Sequence, residues 1–370
     1  MHDTESLLQP FTFGSVTLKN RIIFAPTTMG LRGEEYYRKL EDIAAGGCAM
    51  LIIGDVPVGQ SKHGFGLFSK RGFSHYERIA QLAHKHGCLV SAQLHQNDTH
   101  FGGMWKYIPK MLTGKVDAME MRSLMNQQTG AYISSLPTEK VKEITASFGP
   151  AAQKAVEAGF DMVQVHGDRM CGSFSSSLFN TRTDEYGGST ENRTRFAVEA
   201  VRSIRELLPE LPIDYKLSIR VPEPHYGNAG VTLEELPVFV PALVQAGVTG
   251  FHVALANHGK LEDTIPPADH PDFGAQGCFL PFCDALRQYT DLPVCGVGGL
   301  SSPDFVAEQI TSGRIDLAAM SRQLIADPQW VSKVQSGQTQ SIHRCIRCNK
   351  ECLGGMYAHK GVHCIYDQKA

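Results

Sequence analysis

The chain has 370 residues, and 35 basic against 38 acidic side chains leave a net charge of −3. That length buries a large core without help from disulfides, and the near balance of charge excludes the basic face of a nucleic-acid-binding protein. No apolar run is long enough to span a bilayer, and Met1-His2-Asp3-Thr4-Glu5 lacks the basic and then apolar layout of a signal peptide. The expectation is a cytoplasmic protein with neither membrane nor nucleic-acid partners; a homo-oligomer is left open.

Along the chain, short apolar runs alternate with helix-period segments. Residues 21–25 read as a strand and 34–45 as a helix. Residues 49–53 form a second strand, followed by a helix over 76–86 and a third strand over 88–93. A long connection, 95–137, breaks the rhythm before a helical stripe of Val141, Ile144, Phe148, Ala151 and Ala155, in which Pro150 predicts a kink or break. The fourth strand, 159–165, leads into a second long connection, 167–189. Phe196, Ala197, Ala200, Val201, Ile204 and Leu208 then make another helical stripe. Strands near 213–218, 250–254, 293–297 and 315–320 complete the set, and Thr232 with Glu235 fits a capping box for a helix running toward Ala246. The stripes are core faces.

Eight strands with helices between them imply parallel pairing through βαβ crossovers, and eight such units suit a closed (β/α)8 barrel better than an open sheet. The two long connections then fall on the catalytic face of the barrel. The chain divides into a barrel over 1–335 and a short cysteine-rich extension over 336–370.

Ten cysteines are more than a cytoplasmic barrel needs. Six are dispersed, but Cys345, Cys348, Cys352 and Cys364 crowd the extension with the spacing C-x2-C-x3-C-x11-C. Structural zinc more often uses two separated C-x2-C knuckles, whereas three cysteines in a tight run suit three corners of an iron–sulfur cubane. The spacing favours iron–sulfur over zinc, with free thiols third.

Other signals sit at strand ends. Gly298 and Gly299 follow the seventh strand, and Ser321 and Arg322 follow the eighth. A phosphate often sits between those two loops in such barrels, although most Gly-Gly pairs are only turns. Gln93 ends the third strand with an amide able to both donate and accept at a ring edge. Lys216 interrupts an apolar strand, which is costly unless the ammonium finds a partner or solvent. His166 and Arg169 follow the fourth strand and together suit a substrate carbonyl or carboxylate, against a purely structural role for the histidine.

These residues resemble the Old Yellow Enzyme family, and within it the iron–sulfur branch that includes 2,4-dienoyl-CoA reductase and trimethylamine dehydrogenase. The resemblance runs from Phe11 to about Tyr366. It rests on Leu18-Lys19-Asn20-Arg21-Ile22-Ile23-Phe24-Ala25-Pro26, on Asn180-Thr181-Arg182-Thr183-Asp184-Glu185-Tyr186-Gly187-Gly188, on Met320-Ser321-Arg322-Gln323, and on the cysteine run. It implies FMN, with Pro26, Thr28 and Gln93 beside the ring and Lys216 where the family usually has arginine. Gly298, Gly299, Ser321 and Arg322 then fall at the phosphate, and the four cysteines hold a [4Fe–4S] cluster.

The stretch His166-Gly167-Asp168-Arg169-Met170-Cys171 departs from the family's pattern. Arg169 replaces a second histidine or asparagine, and Cys171 stands where a proton-donating tyrosine is expected. His258, by its offset from the sixth strand, is the expected replacement donor, with Tyr37, His95, Asp168 and Cys171 as weaker candidates.

The resemblance implies an ene-reductase that passes hydride from reduced FMN to the activated C=C bond of an unsaturated small molecule. The alternatives are an amine or N-methyl dehydrogenase and an electron-transfer module. Relatives of this branch commonly continue into FAD- and NAD(P)-binding domains, which the present sequence does not show. Electrons are therefore expected from a partner flavoprotein or ferredoxin, or from NAD(P)H directly.

Overall fold

The computed structural model describes residues 4–60, 62, 65–98, 109, 113 and 118–367. Two three-residue strands, β1 (Phe11–Phe13) and β2 (Val16–Leu18), form an antiparallel hairpin ahead of the barrel. The turn between them uses Gly14 at φ 59°, a left-handed conformation that suits glycine. Phe13 and Leu18 are buried with Ile23, Met50, Met162 and Leu317, so the hairpin plugs the N-terminal end of the barrel interior.

The barrel strands are β3 (Ile22–Phe24), β4 (Met50–Pro57), β5 (Leu89–His95), β6 (Met162–His166), β7 (Ile213–Ile219), β8 (Gly250–Leu255), β9 (Val294–Gly296) and β10 (Leu317–Met320). Every neighbouring pair is parallel, and β10 pairs with both β9 and β3, which closes the barrel. The strands read as unbroken apolar runs because helices cover their outer face and side chains fill the interior. All eight expected strands are present. The register of β4 against β5 slips between Ile53 and Val56, and Asp55 sits in this bulge at φ 54°.

The helices depart from expectation mainly at their starts. The second runs Lys70–His84, with the Ser69 hydroxyl accepting from Gly72 N at 2.9 Å. It begins six residues before the predicted 76–86 because its first turn is polar. The predicted break near Pro150 falls at Ser147, between helices Thr138–Ala146 and Phe148–Glu157. Pro150 lies in the first turn of the second helix, where its missing N–H costs no intrahelical bond. The capping box forms as expected, with the Thr232 N–H donating to the Glu235 carboxylate at 2.9 Å ahead of helix Leu236–Ala246.

Each long connection carries its own helix, Ala118–Ser135 after β5 and Met170–Ser175 after β6. Arg182 fastens the two together. Its guanidinium donates to Ile133 O at 2.8 Å, to Leu136 O at 2.6 Å and to both oxygens of Asp184. Asn180 Nδ2 donates to Phe174 O and Tyr186 O, and Arg193 to Ser175 O.

The C-terminal extension folds back over the barrel mouth. Cys345 N donates to Gln323 Oε1 at 2.8 Å, Asn349 Nδ2 to Ile265 O at 2.7 Å, and Val362 N to Met29 O at 2.7 Å. These bonds tie the extension to loops after β10, β8 and β3.

Candidate active site

A cavity of about 360 Å³ opens at the C-terminal ends of the barrel strands. Pro26 and Thr28 reach it from the loop after β3, Gln93 from β5, and His166 and Arg169 from the end of β6. Lys216 enters from β7, Gly298 and Gly299 from the loop after β9, and Ser321 and Arg322 from the loop after β10. Residues scattered over almost 300 positions thus share one wall because parallel strands end at the same face.

Gly298 and Gly299 have φ of 119° and 67°. A Cβ on Gly298 would stand 2.9 Å from Phe279 N, so a side chain is excluded there by both space and conformation. Thr27 Oγ1 donates to Ser321 Oγ at 2.8 Å, which joins the first and last strand-end loops. Arg322 lies between the cavity and the extension, donating to Pro266 O at 3.0 Å and to Asn349 Oδ1 at 2.6 Å.

Four cations, Arg169, Lys216, Arg322 and Arg347, line the cavity beside two carboxylates, Asp55 and Asp168, among the described residues. Burial, opposed by Asp168 and Asp55, lowers the Lys216 ammonium from its ordinary value. Burial alone would raise Asp55, but Arg169, His95, the Thr28 hydroxyl and Lys216 together hold it low. Asp55 in turn positions this wall: Thr28 Oγ1 donates to it at 2.5 Å, and Arg169 Nη2 lies 3.7 Å from its other oxygen.

His166 is 6% exposed, and burial with Lys216 and Arg169 nearby keeps its imidazole far below the ordinary value, hence neutral. Asp168 N donates to His166 Nδ1 at 3.4 Å, which puts the ring proton on Nε2 as a donor. Asp168 Oδ1 accepts from Asn257 N at 2.8 Å.

His258 is not among the cavity-lining residues. Its Nε2 lies 2.8 Å from Asp98 Oδ2, and Ser173 Oγ donates to the same carboxylate at 2.6 Å. His258 has a left-handed backbone, φ 62°, and its ring is paired with this buried carboxylate instead of lining the cavity. Cys171 is buried in the core, and burial pushes its thiol up. The Tyr37 hydroxyl is engaged with His75 at 2.6 Å.

Cys345, Cys348, Cys352 and Cys364 line a second, smaller cavity in the extension. Arg322, Ile325, Cys345, Arg347 and Cys352 border both cavities, so the two are adjacent. Among the described residues no three His, Cys, Asp or Glu side chains converge on one ion position.

Sequence reasoning missed Asp55, His252 and Arg347. Asp55 depends on the β4 bulge and His252 on which face of β8 points inward, and neither leaves a local signal.

A closed parallel barrel with glycine and Ser-Arg segments after its last two strands, and an amide and a cation at its mouth, defines a flavin-dependent oxidoreductase. The family pattern described as NADH:flavin oxidoreductase / NADH oxidase matches residues 6–341, and the chain belongs to this family, that of Old Yellow Enzyme. The bilirubin reductase of Clostridium symbiosum (strain WAL-14163) is 56% identical over 366 residues, covering 99% of this chain and 98% of that protein. The bilirubin reductase of Mediterraneibacter gnavus (strain CC55_001C) is 32% identical over 368 residues, 97% of this chain and 56% of that protein. The structure of 2-naphthoyl-CoA reductase in complex with 2-naphthoyl-CoA shares the fold, with a TM-score of 0.78 at 20% identity over 99% of this chain and 57% of that one. The chain therefore spans nearly all of the first relative and little more than half of the other two. No helix among the described residues is long and apolar enough to cross a membrane.

Proposed function

We propose that the protein is an FMN-dependent reductase of a conjugated C=C bond, with bilirubin or a similar open-chain tetrapyrrole as substrate. The observation that carries this reading is the 56% identity to a bilirubin reductase over almost the full length of both chains. The cavity's chemistry agrees. Four cations against two carboxylates suit a flavin phosphate together with a substrate bearing carboxylates. Phe279 is the aromatic ring among the described lining residues, and Arg169 would repel an amine cation.

The residues present fit FMN. Gly298, Gly299, Ser321 and Arg322 would hold the phosphate, with backbone brought close to it at two positions of left-handed φ, where Gly298 has no room for a side chain. Pro26, Thr28, Gln93 and Lys216 would meet the ring. Bound and reduced, FMN supplies a hydride to one carbon of the substrate double bond. His166 Nε2–H and the Arg169 guanidinium hold the conjugated carbonyl and stabilise the negative charge that develops on it. Asp55 keeps Arg169 in place. The second carbon takes its proton from water, His258 lying off the cavity lining among the described residues.

The four cysteines fit an iron–sulfur cubane. They line one cavity, and three of them in a tight C-x2-C-x3-C run suit three corners of a cubane better than the two separated knuckles common for structural zinc. A cluster there would relay single electrons into the flavin cavity from a partner flavoprotein or ferredoxin, or NAD(P)H would reduce the flavin directly.

The test is anaerobic purification with flavin and iron quantification, followed by bilirubin decolorisation under reducing conditions. His166→Ala and Arg169→Ala should each retain FMN and lose about 100-fold or more in turnover. A flavin-free protein, or near-normal turnover in both variants, would overturn the reading.

A further inference from the structure

Inside the barrel, below the cavity, three polar side chains run across adjacent strands. Gln93 on β5 stands opposite Gln164 on β6, and Gln164 opposite Asp214 on β7. All three are buried and hydrogen-bonded in series. Gln93 Nε2 donates to Gln164 Oε1 at 2.7 Å, and Gln164 Nε2 donates to Asp214 Oδ2 at 2.5 Å. Gln93 lines the cavity, whereas Gln164 and Asp214 do not. Asp214 Oδ1 is buried with no hydrogen-bond partner among the described residues. A carboxyl group in such a place is costly, and nothing in the barrel's packing calls for it.

The chemistry of the row gives it a direction. An ionised carboxylate offers only acceptors. It therefore holds Gln164 with its nitrogen toward Asp214 and its oxygen toward Gln93. That oxygen holds the Gln93 nitrogen, which leaves Gln93 Oε1 for the cavity side, where Asp55 N lies 3.5 Å away. A neutral carboxylic acid has one O–H to give. Donated to Gln164 Oε1, it reverses both amides and turns Gln93 Nε2 toward the cavity.

We propose that Asp214 is a positioning residue for the flavin, acting through Gln164 to decide whether Gln93 presents an acceptor or a donor to the ring edge. The proposal rests on the reading that FMN occupies the cavity. Burial pushes the Asp214 carboxyl up to about 7, against the pull of the Gln164 amide and Lys216. Both states are then populated near neutral pH.

The other titratable groups facing Asp214 are Lys216 on its own strand, His252 on β8 and Cys295 on β9. Burial and Lys216 hold His252 down at about 3, and burial holds Cys295 far above its ordinary value, so both stay neutral across this range. His252 Nδ1 lies 3.4 Å from Gln164 Nε2.

The oxidised isoalloxazine ring has no group of its own that titrates near neutrality, and the phosphate monoester, which does, is not conjugated with the ring, so the ring's spectrum gives a readout independent of turnover. The oxidised holoprotein is titrated between about pH 5.5 and 8.5, spanning the expected midpoint, while the flavin visible band and its carbonyl infrared stretches are followed. The wild type should show a one-proton change in both. Asp214→Asn should abolish it. Gln164→Leu, which keeps Asp214 but cuts the row, should abolish it as well. Three results would overturn the proposal: no change in the wild type, a change that survives Asp214→Asn, or a change of full size in Gln164→Leu, which would mean that Asp214 acts through space. If Asp214→Asn does not fold, the wild-type and Gln164→Leu titrations still decide. A protein that binds no FMN would sink the functional reading instead.

Discussion

Replacing Arg182 by alanine should unfasten the catalytic-face loops. The guanidinium is part of a residue only 8% exposed, and it serves two backbone carbonyls and one carboxylate. Losing it leaves Ile133 O and Leu136 O without this donor and Asp184 without its cation. A buried acceptor left unpaired costs about 1–3 kcal/mol, and breaking a buried ion pair about 3–5 kcal/mol. The Asp184 side chain is 30% exposed, so water returns part of this, and about 4 kcal/mol is the expected loss. For a chain of this size that lowers the melting temperature by roughly 5 °C.

The assay is thermal unfolding of wild type and variant at one scan rate over a series of pH values. Hydrogen bonds from Arg182, opposed by burial, hold the Asp184 carboxyl well below its ordinary 3.8. A depressed carboxylate contributes stability that is present above the unfolded value and fades as pH falls through the folded one. The gap between wild type and Arg182→Ala should therefore narrow below about pH 4. A loss under about 1 kcal/mol, or a gap that stays constant down to about pH 3, would refute the account.

Removing the cavity ammonium with Lys216→Met should lower the midpoint potential of bound FMN and slow turnover at least about tenfold; equilibration with redox dyes measures the first, and an unchanged potential rules out contact with the ring. Asp98→Ala should cost about 3 kcal/mol in urea unfolding at neutral pH, because His258 and Ser173 lose their shared acceptor. Burial raises the Asp98 carboxyl, but the His258 and Ser173 bonds carry it below 3.8, so the penalty should shrink as pH falls through that range. Cys352→Ala should reduce iron per chain to background and speed FMN loss on desalting, and wild-type iron in this variant would exclude Cys352 as a ligand.

The barrel was legible because each strand is a short apolar run closed by glycine or polar residues, and parallel strands buried on both faces leave that trace. The hairpin of β1 and β2 was not, since three residues are too few for a period to show. Gln93, His166 and Arg169 could be placed at the mouth from their position at or near strand ends, Lys216 from a cation inside an apolar strand, and Pro26 only through the resemblance. His258 also follows its strand, yet it lies off the cavity lining, paired with Asp98, 160 positions earlier, from a left-handed backbone. Asp214 sits in a run that reads as strand, and its pairing with Gln164 depends on register, which no single segment encodes. The segment that carries the resemblance most specifically, Asn180 to Arg193, proves to be fastening: its side chains bind backbone carbonyls of neighbouring loops.

The extension is wall as well as appendage. Cys345, Arg347, Cys352, Leu353, Met356 and Val362 complete one side of the large cavity. Without these residues that side of the cavity would be open. Anything that fixed the four thiols would therefore also hold this wall in place, so a cluster in the extension and a flavin in the cavity would be expected to stay or go together.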